Sequence, residues 1–214
     1  MNLQEKLYGN NQNPPYPLNF VNELGEAIIR VKEEYCQWAY NNPQQDQRIE
    51  RVFAYELYHQ FRQLTYWKQD FKDLRFDGEI GKQITYEIEI CGVKLENFNL
   101  NQNEFYPDLV LHLSQTNRLR NNQKLIIELK SRKVGNPELA ETILKLNQYL
   151  KSLNFEYASF ISVNTDFNEL IEQLVLLFEN PINQKWACRF NRIIIMNYKD
   201  RNLEVKTLFE VLAN

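Results

Sequence analysis

Long apolar runs are missing from this sequence: none approaches the roughly 18 residues that a membrane-crossing helix needs, so no spanning segment and no membrane partner are expected. Histidine is scarce, with only His59 and His112, which weakens any proposal of a histidine-built metal centre or triad. Cysteine is equally sparse. Cys36, Cys91 and Cys188 are odd in number, far apart and without a CxxC pair, so neither a disulfide framework nor a zinc site is expected. The opening stretch "MNLQEKLYGNNQNPPYP" has neither the basic nor the apolar region of a secretory signal. The expected location is the cytoplasm.

A positive charge balance is also absent. The net charge of −3 argues against a nonspecific nucleic-acid coat protein. It leaves room for an enzyme acting on nucleic acid, because an acidic site lowers the total while a local basic rim still attracts phosphate. Arg118, Arg120, Lys124, Lys130, Arg132 and Lys133 offer such a rim, and they read equally well as a solvated charged loop.

What is present is the material of one soluble globular domain. The 214 residues are 43% hydrophobic and 25% charged, and 13 Phe, 12 Tyr and 3 Trp supply large side chains for a core. There is no repeat, and no linker after residue 45. Residues 1–45 read as an N-terminal extension whose helix packs on the core, and 46–214 as the main domain.

Within this frame, Pro14, Pro15 and Pro17 keep the lead-in extended. Apolar spacing predicts a helix from Phe20 to about Tyr40 and, after a break at Pro43, a second from Asp46 to about Gln69. Strands are predicted at "QITYEIEI", "VKLENF", "YPDLVLHL" and "KLIIELKSRK". A helix over "NPELAETILKLNQYLKSL", a strand over "EYASFISVN", a helix over "DFNELIEQLVLLFEN", and closing strands "RIIIMNY" and "LEVKTLFEVL" follow. The order predicts an α+β fold with a central mixed sheet flanked by helices.

Three charged residues interrupt these apolar patterns. Side chains alternate faces along a strand, so Glu128 and Lys130 share one face of "KLIIELK" and Asp108 shares a face with Val110 and His112. A buried charge is costly unless it is paired or binds a metal. If the two strands pair, Asp108 and Glu128 approach each other, and hard oxygen ligands of this kind suit Mg²⁺ or Mn²⁺. On the second helix, Glu56 falls within the stripe formed by Ile49, Val52, Phe53, Leu57, Phe61 and Leu64, so it is expected to face the sheet. The alternative for Glu56 is a core carboxylate satisfied by a lysine or a backbone amide.

Pro107-Asp108, followed by Glu128-Leu129-Lys130, resembles the motif of the PD-(D/E)xK nuclease superfamily, the restriction-endonuclease-like fold. "ELYHQFR" and "GEIGK" also resemble stretches that accompany the motif in several members. The resemblance covers roughly residues 46–165 and implies an αβββαβ core with an N-terminal helical extension. It implies that Asp108 and Glu128 hold Mg²⁺ (or Mn²⁺), with the Leu129 carbonyl as a further ligand. Lys130 would act on the attacking water and the developing charge, and Glu56 would complete the site. Glu79, Lys145, Gln148 and Tyr149 would be auxiliary, although Glu79 also reads as a solvated turn and the three helix residues as a solvated flank. His112 reads more simply as a satisfied core histidine. The implied activity is phosphodiester hydrolysis, in DNA with RNA left open, giving a 5′-phosphate and a free 3′-hydroxyl. Specificity would come from loops, a homodimer or a partner protein. The rival reading is a catalytically inactive binding module of the same fold in a bacterial defence or mobile-element system.

Overall fold

The computed structural model of the chain describes residues 18–36, 43–78, 82–83, 89–90, 93–94, 104–113, 122–180 and 189–213, with the backbone course alone for 18–19, 43–49, 82–83, 89–90, 93–94 and 104–105. Its centre is a mixed six-stranded sheet whose strands lie side by side in chain order. These are β1 (Leu74–Gly78), β2 (Leu109–Leu113), β3 (Gln123–Lys130), β4 (Tyr157–Val163), β5 (Ile193–Lys199) and β6 (Asn202–Thr207). The pairs β1–β2, β2–β3 and β5–β6 are antiparallel, whereas β3–β4 and β4–β5 are parallel. Parallel neighbours need a crossover, and α3 (Asn136–Ser152) and α4 (Phe167–Glu179) supply the two. β5 and β6 are joined by Asp200 and Arg201, both at positive φ (50° and 60°), the backbone signs of a type I′ hairpin turn.

Helices cover both faces. On one, α1 (Leu18–Arg30) and α2 (Pro43–Thr65) bury Leu24, Ile28, Phe53, Leu57 and Phe61 against Leu125, Ile127 and Leu129. Phe61 and Tyr58 also pack on Phe76, with ring centroids 4.3 and 5.6 Å apart, which fixes α2 over β1. On the other face, α3, α4 and the short α5 (Leu208–Leu212) enclose Val110, Ile126, Phe160 and Ile195. The split of Leu125, Ile127 and Leu129 from Ile126 follows from strand alternation. No helix among the described residues is long and apolar enough to cross a membrane.

Several element boundaries differ from the sequence expectation. α1 stops at Arg30, where a tight Val31 N–H bond to the Ile28 carbonyl (3.0 Å) and extended backbone at Lys32 turn the chain. Pro43 opens α2 instead of breaking a helix before it, because proline at a first helical position forfeits no helical hydrogen bond. The segment "LRFDG" forms β1, an additional strand in which Leu74 and Phe76 are buried and Arg75 is exposed. The closing "LEVKTLFEVL" is a strand only to Thr207. There a capping box joins the Thr207 hydroxyl to the Glu210 N–H and the Glu210 carboxylate to the Thr207 N–H, and starts α5. Of "QITYEIEI" and "VKLENF", only two-residue ladder segments fall within the described residues. Cys36 is buried, and burial followed by the nearby Glu33 pushes its thiol up to about 11, the state of an inert structural cysteine.

Candidate active site

Asp108 immediately precedes β2, whose Leu109 pairs with Ile127, so it stands beside Glu128 at the ends of two interior strands of the sheet, where α2 passes over them. Asp108 Oδ2 accepts the Leu129 N–H at 2.6 Å, so the carboxylate is held against the E-x-K strand. Behind it, Gly78 pairs with Leu109. A Cβ at Gly78 would stand 3.4 Å from the Asp108 carbonyl oxygen, an ordinary contact distance, so β1 packs closely beside Asp108 without requiring glycine there.

Glu128 is buried. Its Oε1 accepts the Tyr149 hydroxyl of α3 at 2.9 Å. Burial first and the neighbouring Asp108 second raise its carboxyl to about 8, against the opposing pull of Lys145, Tyr149 and Lys130. Burial and Glu128 likewise push the Tyr149 phenol far above its ordinary value. Tyr149 is therefore a neutral donor at any working pH.

Lys130 ends β3 with its ammonium 3.2 Å from Glu50 Oε1 and 3.9 Å from Glu138 Oε1. Burial pulls this ammonium down, but Glu50, Asp108 and Glu128 outweigh burial and leave it above the ordinary lysine value. Glu50 is itself raised, by burial and then by Asp108, against Lys130 and a hydrogen bond from the Ser131 backbone N–H. Glu50, Asp108, Glu128 and Lys130 thus form one electrostatic cluster drawn from α2, β2 and β3. Beside it lies a cavity of about 440 Å³ lined by Glu50, Arg51, Tyr55, Tyr58, Asp77 and Asp108, among others.

The helical acid of this cluster is Glu50, and Glu56 stands apart from it. Glu56 accepts a hydrogen bond from Gln60 on its own helix at 2.7 Å and is only half-buried. The helical wheel explains the difference. Phe53, Leu57 and Phe61, at 0%, 0% and 1% exposure, define the buried line of α2. At about 100° per residue, Glu50 lies about 20° from the middle of that line and Glu56 about 100° away. Giving weight to Val52, which is only half-buried, and to Ile49 turns the apparent stripe toward the wrong glutamate.

The auxiliary residues divide. Tyr149 and Gln148 are 1% and 0% exposed, so neither belongs to a solvated flank. Tyr149 bonds to Glu128, while neither amide atom of Gln148 has a hydrogen-bond partner among the described residues. Lys145 pairs with Glu141 at 3.2 Å and still attracts Glu128. Glu79 lies outside the described residues. His112 is buried and meets Asp77 Oδ2 at 2.9 Å, a core histidine with a carboxylate partner.

The basic rim is discontinuous. Arg132 and Lys133 are exposed just beyond β3, paired with Glu138 at 3.1 Å and Glu169 at 2.8 Å. Exposed pairs of this kind are weak, typically about 0–1 kcal/mol, and yield readily to phosphate. Lys124, however, sits at the other end of β3, about 20 Å from Lys130 at 3.3 Å per residue, bound to Glu156. Arg118 and Arg120 lie outside the described residues.

Among the described residues no three His, Cys, Asp or Glu side chains form a ready metal cage. Mg²⁺ does not require one, because it is commonly held by one or two carboxylates together with water and substrate phosphate. Asp108 and Glu128 fit that chemistry: they are hard donors, and the proximity of Asp108 is one cause of the raised Glu128 carboxyl. The Leu129 N–H already contributes by orienting Asp108.

Comparison with family models, with curated proteins and with solved structures found no match for this chain.

Proposed function

We propose that the chain is a cytoplasmic, metal-dependent nuclease that hydrolyses phosphodiester bonds in DNA. The observation that carries this reading is the convergence of Asp108, Glu128 and Lys130 at the ends of two adjacent interior strands, beside an open cavity. Their spacing resembles the PD-(D/E)xK motif, and their strands are followed by a helix and a parallel strand, in the order that the restriction-endonuclease-like core implies. In this proposal Asp108 and Glu128 hold Mg²⁺ or Mn²⁺, which when bound would lower the pKa of a water and offset phosphate charge. Lys130 stabilises charge developing at the scissile phosphate, and Glu50 holds its ammonium toward the site. Tyr149 donates to one Glu128 oxygen and fixes the carboxylate's orientation.

One observation favours the inactive binding module. Lys130 and Asp108 each have a protein partner in this structure, Glu50 and the Leu129 N–H. Mn²⁺ titration by calorimetry, with DNA cleavage measured in parallel, separates the readings. The nuclease reading expects Mn²⁺ binding that Asp108→Asn weakens, and cleavage that EDTA abolishes. Wild-type protein that binds neither metal nor cuts DNA would remove it.

A further inference from the structure

The exposed side of α2 presents a second pattern. Arg51, Tyr55, His59 and Arg62 are all exposed, and the Tyr66 N–H bonds to the Arg62 carbonyl at 3.0 Å, which carries the helical course one residue further. At about 100° per residue these five side chains fall within an arc of about 80°. Trp67 stands edge-on to Tyr66, with ring centroids 4.6 Å apart. Tyr55, Tyr66 and Trp67 are 66%, 67% and 87% exposed, a large aromatic surface to leave in water.

This stripe is continuous with the candidate site. Arg51 and Tyr55 line the cavity that Asp108 also lines. His59, Arg62, Tyr66 and Trp67 line an open recess of about 390 Å³ at the far end. Two guanidinium groups, Arg51 and Arg62, are set among flat rings, aliphatic residues are absent, and no carboxylate lies in the arc; Glu56 is about 100° round the helix from its centre. A protein-docking or lipid-docking helix would present aliphatic anchors here. Arginines set among rings suit unpaired bases, which stack on aromatic faces while their phosphates meet arginine.

We propose that this stripe is a stacking track for single-stranded nucleic acid, leading into the Asp108–Glu128–Lys130 cluster. The track runs about 22 Å from Arg51 to Tyr66 at 1.5 Å per residue, the length of about six stacked nucleotides. That it delivers a strand for cleavage rests on the nuclease reading; that it binds single strands does not.

The test is fluorescence anisotropy with the full chain in EDTA, using labelled oligothymidylate and the same strand annealed to its complement. Wild type is expected to bind the single strand about tenfold more tightly than the duplex. The double variant Tyr66→Ala/Trp67→Ala should lose about thirtyfold or more of that affinity, two stacked bases at about 1–3 kcal/mol each. Phe209→Ala, which removes an exposed ring on α5, should bind like wild type. Equal affinity for duplex, no binding, or an unaffected double variant would overturn the proposal. Cleavage with Mn²⁺ keeps the two readings apart. Aromatic-dependent binding without cleavage retains the track and rejects the nuclease. Asp108-dependent cleavage that is indifferent to Tyr66 and Trp67 does the reverse.

Discussion

The Lys130 ammonium lies 3.2 Å from the Glu50 carboxylate, joining the last residue of the E-x-K strand to the helix that passes over it. This pair is half-buried, with side chains 19% and 20% exposed, and it sits next to Asp108. It makes Glu50 the residue that sets where the lysine points.

Replacing Glu50 is therefore expected to matter and replacing Glu56 is not. Glu50→Gln should lower cleavage by about tenfold or more, as the lysine loses its anchor, since one positioned electrostatic group is commonly worth about 10²–10³ in rate when removed outright. Glu56→Gln should remain close to wild type. Cleavage kinetics on the two purified variants check this, and a larger loss at Glu56 would relocate the site along α2.

Stability should depend on pH with an unusual sign. A carboxyl whose folded pKa exceeds its unfolded value binds more protons when folded, so stability falls as pH rises between the two values. Glu128 spans the window from 4.5 to about 8, and Glu50 is shifted in the same direction. Lys130 is also raised, but its contribution is lost only above 10.5, outside this window. Thermal melts in EDTA should thus show the melting temperature falling from pH 5 to pH 8, with a loss on the order of a few kcal/mol. Glu128→Gln should flatten the slope and be the more stable protein at pH 8. Mn²⁺ should stabilise wild type more at pH 8 than at pH 5.

Tyr149 gives a separate handle on the same carboxyl. Tyr149→Phe removes the donor from a buried Glu128 oxygen, and an unsatisfied buried polar group costs about 1–3 kcal/mol. Urea denaturation should register that loss, and Mn²⁺ affinity should fall with it because the carboxylate is no longer oriented. An unchanged denaturation midpoint would mean that Glu128 finds another partner.

These residues also show which parts of the molecule could be read from sequence. β3 and its faces follow from "KLIIELK", because alternation alone separates Leu125, Ile127 and Leu129 from Ile126, Glu128 and Lys130. α3 and α4 follow from Pro137 near the start of one and Asp166 capping the other. β1 is not legible because "LRFDG" has only two buried positions, too few to establish a period. α5 was hidden because "TLFEVL" is as apolar as a strand, although Thr207 and Glu210 spelled a capping box. Glu50 is not legible because Ile49 and Val52 turn the apparent stripe away from the buried line on which Glu50 lies. The Tyr149–Glu128 bond joins residues 21 positions apart, and only the packing of α3 on β3 reveals it.

The most direct test of the central claim is cleavage of supercoiled and linear DNA in Mg²⁺ and Mn²⁺ by wild type, Lys130→Ala and Asp108→Ala. Loss of Lys130 should reduce the rate by about 10²–10³ while DNA and Mn²⁺ binding largely survive. Lys130→Arg should not restore the rate, because a planar guanidinium does not replace a compact ammonium. Asp108→Ala should lose both metal binding and cleavage. Wild type that binds DNA but never cuts it, or three proteins that cut equally, would contradict the account.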